Sequence, residues 1–284
     1  MTLGQAYLYG KEQLAKAELT SPAFDALSLL QFCFGFEGRS GLSMRADEEI
    51  SEQKQREYFS LIEMRKKRPL QYILGRWVFC GMELFVGEGV LIPRDDTEVL
   101  VNRAVEYIKD NSFTVYDLCA GSGAVSLGVA KACKTADFKC FELFDEAFYY
   151  LERNIEAYSD SRVKAVKADV LTTQNLPQKE SADVILSNPP YIPAKDIENL
   201  AWEVKCEPNT ALNGGEDGLI FYRFFAKHWL DCLKPGGIMA VEVGINQDKT
   251  VKELFENAGL ENVSIDYDIA GIGRVVWGIK PEME

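Results

Sequence analysis

One short segment, Asn188-Pro189-Pro190-Tyr191, carries the most specific chemistry in the sequence. Its two prolines have no N–H to donate and fix the backbone, so the neighbouring carbonyl groups are rigidly directed and free to accept. The side-chain oxygen of Asn188 and the carbonyl oxygen of Pro189 can each accept one N–H of a planar amide or aromatic amine. Such binding localises a lone pair that is otherwise delocalised, and Tyr191 can cover the planar group. The segment predicts a site that makes a planar nitrogen nucleophilic, with a plain Pro-Pro turn as the alternative.

A second candidate site is the glycine-rich turn Cys119-Ala120-Gly121-Ser122-Gly123. Glycines allow the backbone to approach a ligand closely, and the start of the following helix supplies unpaired N–H groups. Ser126 replaces the third glycine of the dinucleotide fingerprint, which argues against NAD. Glu142 closes the next predicted strand, where a carboxylate can accept both hydroxyls of a ribose. The alternatives are a tight turn without a ligand and a solvated glutamate.

Both motifs fall in a region that alternates strand and helix patterns, which predicts a doubly wound, mostly parallel α/β sheet. The seven predicted strands are residues 114–119, 138–144, 163–168, 183–187, 238–243, 263–267 and 274–279. Only residues 268–273 separate the last two strands, too few for a crossover helix, so these strands must pair antiparallel. A parallel seven-stranded sheet with a C-terminal antiparallel hairpin resembles the Rossmann-like class I methyltransferase fold.

That fold gives further residues an expected role. Asp169 and Val170 follow the third strand, where the fold places a polar group at the amine of an adenine and an apolar one against its ring. Asp169 also suits a helix N-cap. Together with Asp117 and Glu142, Asp169 favours a cationic sulfonium cofactor over one that carries phosphates. Methyl transfer from a sulfonium is an in-line displacement that needs no strong base, so His228 is expected to be a bystander.

Residues 1–72 carry helical signals and predict a small N-terminal bundle. One helix is expected to begin at Ser21-Pro22 and to end at Gly35 and Gly38. Another is expected to begin at Ser51 and to stop before Arg68-Pro69, with the basic run 65–68 as its solvated end. Residues 73–92 are interpreted as a linker with a hairpin around Cys80-Gly81, and residues 93–284 as the catalytic domain.

Composition limits the partners and the compartment. A net charge of −13 argues against binding to a phosphate backbone, so we expect no direct nucleic-acid binding. The 7 cysteines are scattered and lack Cys-x-x-Cys spacing, which argues against a disulfide framework or a metal site. No apolar run approaches the roughly 18 residues of a membrane span. We expect a cytoplasmic monomer without a signal peptide or a membrane contact.

Several longer segments accompany the two motifs. They are Pro69–Gly75, Leu91–Glu98, Glu207-Pro208 with Ala211-Leu212, Gly214–Leu219 and Glu242-Val243-Gly244. With these segments, the chain resembles over nearly its whole length the HemK family of protein-glutamine methyltransferases, which modify peptide chain release factors. The chain departs from the family's pattern in three places: Cys119-Ala120 stands for Gly-Thr, Glu142 for aspartate and Asp95 for proline.

The resemblance implies a reaction and its site residues. S-adenosyl-L-methionine would methylate the side-chain nitrogen of the glutamine in a release factor's Gly-Gly-Gln motif, leaving S-adenosyl-L-homocysteine, and residues 1–72 would help to recognise the factor. The residues expected to bind the cofactor are Cys119, Ala120, Gly121, Ser122, Gly123, Glu142, Asp169, Val170 and Asn188. Those expected to bind the glutamine are Asn188, Pro189, Pro190 and Tyr191, of which Asn188, Pro189 and Tyr191 would be catalytic.

Two other functions remain open from the residues alone. Adenine and guanine amines pose the same lone-pair problem as an amide, so a nucleic-acid amino methyltransferase would use the same motif. A cofactor-binding protein without activity would keep the glycine-rich turn. The acidic charge and the absence of a basic insertion favour a protein substrate over nucleic acid.

Overall fold

The computed structural model describes residues 1–282 and contains two compact units, Met1–Arg76 and Trp77–Glu284. The first unit is helical. Its helices are α1 (Leu3–Lys16), α2 (Pro22–Phe34), α3 (Gly38–Arg45), α4 (Glu52–Arg65) and α5 (Leu70–Leu74). Among residues 1–282, none of the helices has both the length and the apolar composition of a membrane span.

The helix ends of the first unit follow local sequence signals. Helix α2 begins at Pro22 and ends at Gly35, whose φ of 65° is left-handed and favours glycine. The side chain of Ser51 accepts the Lys54 N–H and caps α4, as predicted. The prediction for Gly38 was wrong, because this residue starts α3.

The basic run 65–68 is not simply a solvated helix end, as the sequence suggested. The guanidinium of Arg65 is buried, and its Nε donates to Asp25 Oδ2 at 2.8 Å. Burying a charge without a partner is strongly unfavourable, so each of these two charged side chains can be buried only when the other is buried beside it. The prediction failed because the partner lies in α2, distant in sequence.

A short hairpin of strands β1 (Arg76–Phe79) and β2 (Met82–Phe85) precedes the large sheet. Its turn lies at Cys80 and Gly81, where both residues have positive φ angles of 49° and 63°, as a two-residue I′ turn requires. The apolar residues Phe79, Met82 and Leu84 belong to the hydrophobic core of the second unit. The hairpin is therefore a packed part of this unit.

The second unit is built on a seven-stranded sheet, as predicted. Its strands are β3 (Thr114–Leu118), β4 (Asp137–Glu142), β5 (Val163–Lys167), β6 (Ala182–Ser187), β7 (Leu233–Glu242), β8 (Glu261–Tyr267) and β9 (Gly273–Ile279). Their order is β5-β4-β3-β6-β7-β9-β8. Strand β9 pairs antiparallel with both β7 and β8, so it runs opposite to the other strands of the sheet. Strand β7 begins earlier than predicted. The prediction started it too late because the strand includes Pro235 and the glycine at 236, which are both poor strand residues.

Helices accompany the strands of the sheet. They are α6 (Glu98–Ile108), α7 (Ala124–Ala132), α8 (Asp145–Tyr158), α9 (Trp202–Lys205), α10 (Asn209–Leu212), α11 (Ile220–His228) and α12 (Asp248–Asn257). Alternate strand residues enter two different buried clusters, Val115 and Val184 in one and Tyr116 and Ile185 in the other. Both faces of the sheet are thus covered, as expected of a doubly wound fold.

The strand order places both sequence motifs at one point of the sheet. From β3 the chain moves outward to β4 and β5, and it then returns to β6 on the other side of β3. In open α/β sheets, ligands bind outside the carboxyl ends of strands at such a reversal. The glycine-rich turn follows β3, and Asn188-Pro189-Pro190-Tyr191 follows β6.

Candidate active site

A cavity of about 440 Å³ opens at the carboxyl ends of β3, β4 and β6. The predicted residues that line it are Cys119, Ala120, Gly121, Ser122, Glu142, Asp169, Val170, Asn188 and Pro190. Pro189 and Tyr191 instead line a smaller cavity of about 30 Å³, which shares Leu91, Asn188 and Ala211 with the first. Gly123 lines neither cavity. It directly precedes α7, where its left-handed backbone conformation leads the chain into the helix.

The turn after β3 has an unusual backbone. Cys119, Gly121 and Gly123 all have positive φ angles, of 60°, 55° and 81°. This conformation is easy for glycine but costs about 1–2 kcal/mol for a residue with a Cβ, so Cys119 carries local strain. The resulting loop turns the backbone of residues 119–122 along the wall of the cavity.

Glu142 joins the ends of β3 and β4. Its Oε2 accepts the Gly121 N–H at 2.9 Å, and its Oε1 accepts the N–H groups of Leu143 and Phe144 at 2.8 and 2.9 Å. A carboxylate has about four acceptor positions, so one position on Oε2 remains. Since Glu142 lines the cavity, that position is available to a hydroxyl donor there.

Asp117 brings an unsatisfied acceptor to the cavity. Its Oδ2 accepts the hydroxyl and the N–H of Ser126 at 2.8 and 3.2 Å. Its buried Oδ1 has no hydrogen-bond partner within residues 1–282. Burial raises the pKa of Asp117 to about 7, although the bonds from Ser126 lower it. A lone buried acceptor of this kind suits a cationic group of a ligand.

Asp169 and Val170 lie on another wall of the cavity. The Oδ1 of Asp169 accepts the Leu171 N–H at 2.8 Å, so this carboxylate orders the loop after β5. The backbone carbonyl of Val170 accepts the indole N–H of Trp229 at 2.9 Å. These bonds fix both residues while leaving the second oxygen of Asp169 for a ligand.

The segment after β6 is held at several points. Ser187 Oγ donates to the Leu118 carbonyl at 2.6 Å, which ties β6 to β3. Asn188 Nδ2 donates to Thr97 Oγ1 at 3.1 Å, and Tyr191 OH donates to Glu242 Oε1 at 3.3 Å. Because the amide nitrogen of Asn188 is engaged, its Oδ1 is left as the free acceptor of the side chain.

Two family models match the chain. Residues 5–75 match the family model of the PrmC N-terminal domain, and residues 95–230 match that of the methyltransferase small domain. A release factor glutamine methyltransferase of Clostridium botulinum is 36% identical over 280 residues, which span 97% of this chain and 98% of that protein. The chain belongs to the release factor glutamine methyltransferase family. The resemblance inferred from the sequence is thereby confirmed.

Other comparisons agree with this membership. A release factor glutamine methyltransferase of Caulobacter vibrioides is 34% identical over 287 residues, spanning 100% of this chain and 98% of that protein. Among solved structures, the catalytic domain of hMettl16 in complex with a MAT2A 3′UTR hairpin has a TM-score of 0.55. The match covers 69% of this chain and 75% of that one at 15% identity, and it shows a shared fold.

Sequence reasoning missed a large part of the cavity wall. The missed lining residues include Leu91, Pro93, Thr97, Phe141, Phe144, Pro208, Asn209, Thr210, Asn213, Ile220 and Phe221. The segments Leu91–Glu98 and Glu207-Pro208 carry the family resemblance, but the sequence alone assigns them no role. Glu207 joins them, because its carboxylate accepts the Ile92 N–H at 2.9 Å and pairs with Arg94. Burial raises the pKa of Glu207, and Arg94 counters that effect.

The backbone of the acceptor segment packs directly against Gly214. A Cβ at this position would lie 2.8 Å from three backbone atoms, those of Gly218 Cα, Pro190 O and Tyr191 Cα. Backbone cannot move aside as a side chain can, so we expect Gly214→Ala to displace the segment and to lower kcat about tenfold or more. The matched control is Gly128→Ala in α7, whose Cβ would meet only side-chain atoms, at 3.3 Å or more. Steady-state kinetics of both variants test this, and equal kcat values would contradict it.

Two buried carboxyl groups should make stability depend on pH. Burial raises the pKa of Asp117 from its ordinary value of 3.8 to about 7, and that of Glu242 from 4.5 to about 7. Because the folded-state pKa is the higher one, stabilisation is complete below about pH 4 and is lost as pH rises to about 7. We expect each group to lower the free energy of unfolding by roughly 1 kcal/mol per pH unit in that window. Urea titrations of wild type and Glu242→Gln between these pH values should diverge, and parallel curves would contradict the assignment for Glu242.

Proposed function

We propose that this protein transfers a methyl group from S-adenosyl-L-methionine to the side-chain amide nitrogen of a glutamine, in the Gly-Gly-Gln motif of a peptide chain release factor. Membership of the release factor glutamine methyltransferase family supports the substrate. The observation that carries the proposal is the orientation of Asn188. Its amide nitrogen is bound to Thr97, so that only its oxygen is free to accept an N–H of a planar nitrogen.

The residues around the large cavity fit the cofactor. The remaining acceptor position of Glu142 suits a ribose hydroxyl, and the unpartnered Oδ1 of buried Asp117 suits an ammonium group. Val170 offers an apolar surface to an adenine, and Asp169 a carboxylate oxygen to its amine. When bound, S-adenosyl-L-methionine supplies an electrophilic methyl group on a sulfonium and leaves as S-adenosyl-L-homocysteine.

The acceptor residues provide orientation rather than acid or base chemistry. Asn188 Oδ1 and the carbonyl of Pro189 accept the two N–H groups of the glutamine amide, which directs the nitrogen lone pair out of the amide plane. Tyr191 is held by Glu242 and Gln247 and covers the planar group. The only histidine, His228, packs against Phe224 at 4.5 Å between ring centroids and does not line the cavity.

The proposal extends to the partner and the setting. Residues 1–72 would contact the release factor, residues 73–92 would link them to the catalytic residues 93–284, and the enzyme would act as a cytoplasmic monomer. The net charge of −13 supports a protein substrate over a nucleic acid.

Mass spectrometry tests the proposal most directly. The protein is incubated with S-adenosyl-L-methionine and a purified release factor, and the factor is digested and mapped. A single added methyl group on the glutamine of the Gly-Gly-Gln motif is expected. A parallel reaction with labelled cofactor contains RNA or DNA instead of the factor. Label in nucleic acid with an unmodified release factor would replace the proposal by an adenine or guanine amino methyltransferase.

A further inference from the structure

Thr97 occupies a position where threonine commonly caps a helix, but its side chain does something else. It lies directly before α6 and makes no side-chain capping hydrogen bond. Instead, it is buried at 3% exposure, and its Oγ1 accepts the Asn188 Nδ2–H at 3.1 Å. Thr97 ends a 3₁₀ turn (Asp95–Thr97) with helical backbone angles, so it is not placed to cap α6 and its hydroxyl is available to the acceptor segment.

The direction of the Thr97 hydroxyl hydrogen depends on Glu242. Glu242 ends β7 at 2% exposure; its Oε1 accepts the Tyr191 hydroxyl at 3.3 Å, and its buried Oε2 has no hydrogen-bond partner within residues 1–282. Burial raises the pKa of this carboxyl group, and the nearby Thr97 hydroxyl lowers it. Above its pKa of about 7, Glu242 is ionised, and an ionised carboxylate only accepts hydrogen bonds. The unpartnered Oε2 of Glu242 is then an acceptor for the Thr97 hydroxyl hydrogen, and with that hydrogen turned towards Glu242, Thr97 can only accept from Asn188. This favours one orientation of the Asn188 amide.

We propose that Thr97 and Glu242 are positioning residues that set the polarity of the Asn188 amide for methyl transfer. With the observed polarity, Nδ2 points to Thr97 and Oδ1 remains for an N–H of the acceptor. With the opposite polarity, Thr97 would donate to Oδ1, and the amide NH₂ would oppose the N–H groups of the acceptor nitrogen. The inference rests on the proposed function, because it assumes an acceptor that donates N–H groups.

A double-mutant cycle tests the role of Thr97. Thr97→Val keeps the shape of the side chain but removes its hydroxyl, and we expect kcat to fall roughly tenfold with KM and cofactor affinity little changed. Thr97→Ser restores the hydroxyl and most of kcat. In the Asn188→Ala background, Thr97→Val should change kcat by less than about twofold, because its effect passes through Asn188. Thr135→Val, which removes an exposed hydroxyl bonded to the Asn111 carbonyl, is the matched control.

Glu242→Gln tests the second residue by a different readout. Its amide can receive the Tyr191 hydroxyl on oxygen and donate its NH₂ to Thr97, which would turn the Thr97 hydroxyl towards Asn188 Oδ1. We expect kcat to fall about tenfold while the melting temperature at pH 8 is unchanged or higher, since a buried charge has been removed.

The outcomes separate the two proposals. Additive effects of Thr97→Val and Asn188→Ala, or a Thr97→Ser enzyme as slow as Thr97→Val, would overturn the positioning role. A Glu242→Gln enzyme with wild-type kcat would overturn the role of Glu242. If wild type itself adds no methyl group to the glutamine of a release factor, the proposed function fails.

Discussion

Asn188→Ala is expected to lower kcat by about 10²–10³-fold, the usual effect of removing one group oriented towards a transition state. The side chain provides the only side-chain amide oxygen of the acceptor segment, and the bond from Nδ2 to Thr97 Oγ1 leaves that oxygen free to accept. Asn188 is one of nine residues expected to bind the cofactor, and the other eight belong to other loops, so cofactor affinity should change little. Single-turnover rates and a calorimetric titration of S-adenosyl-L-homocysteine separate the two effects.

A second variant and a control make this result interpretable. Asn188→Asp keeps an oxygen at the same place but loses the donor to Thr97 and adds a charge, so it should not restore activity. Asn111→Ala removes an exposed asparagine that donates only to the Ile108 carbonyl, and it should retain wild-type kcat. If Asn188→Ala turns over at the wild-type rate, the acceptor chemistry assigned to Asn188-Pro189-Pro190-Tyr191 is wrong.

The sheet could be predicted from the sequence because its signals are local and repeated. Apolar stretches alternate with helical patterns, and the short 268–273 connection forces the final antiparallel pair. The switch between β3 and β6 then follows from the fold, and it places the glycine-rich turn and the acceptor segment at one cavity. Local signals plus a known topology were enough for these features.

The support of the site could not be predicted in the same way. Thr97, Glu207 and Glu242 act through contacts to residues distant in sequence, and no periodicity or turn pattern marks such contacts. The Arg65 and Asp25 pair was missed for the same reason. A charged or hydroxyl residue looks solvated in a sequence until the fold shows what lies beside it.

Cys119 shows how a local departure is tolerated. It takes a left-handed φ of 60° at a position where the family resemblance leads one to expect glycine, and it packs against the buried cluster around Tyr222 and Val241. Strain of about 1–2 kcal/mol is offset by packing of the thiol that glycine would lack. The backbone of the turn can therefore keep its course along the cavity although the residue type has changed.

Glu142→Ala should instead weaken the cofactor. Charge-assisted hydrogen bonds contribute about 1.5–3 kcal/mol each, so losing even one to a ribose hydroxyl should raise the Kd at least about tenfold. The carboxylate also holds the N–H groups of Gly121, Leu143 and Phe144, so a loosened loop would add to that effect. Calorimetry with S-adenosyl-L-homocysteine measures the Kd, and thermal unfolding without ligand measures the loop's share.

Glu142→Gln separates the ribose contact from the support of the loop. The glutamine side chain has one oxygen, which can accept either the Gly121 N–H or the N–H groups of Leu143 and Phe144. Its NH₂ group must then face the N–H donors that are left, which is unfavourable. We therefore expect both a lower melting temperature and weaker binding, while the exposed Glu152→Gln on α8 changes neither. Equal Kd values for wild type and Glu142→Ala would remove this residue from the cofactor site. If Glu142→Ala raises the Kd for the cofactor while kcat, measured at saturating glutamine substrate, stays near the wild-type value, Glu142 acts in binding. The chemical step then depends on the segment around Asn188.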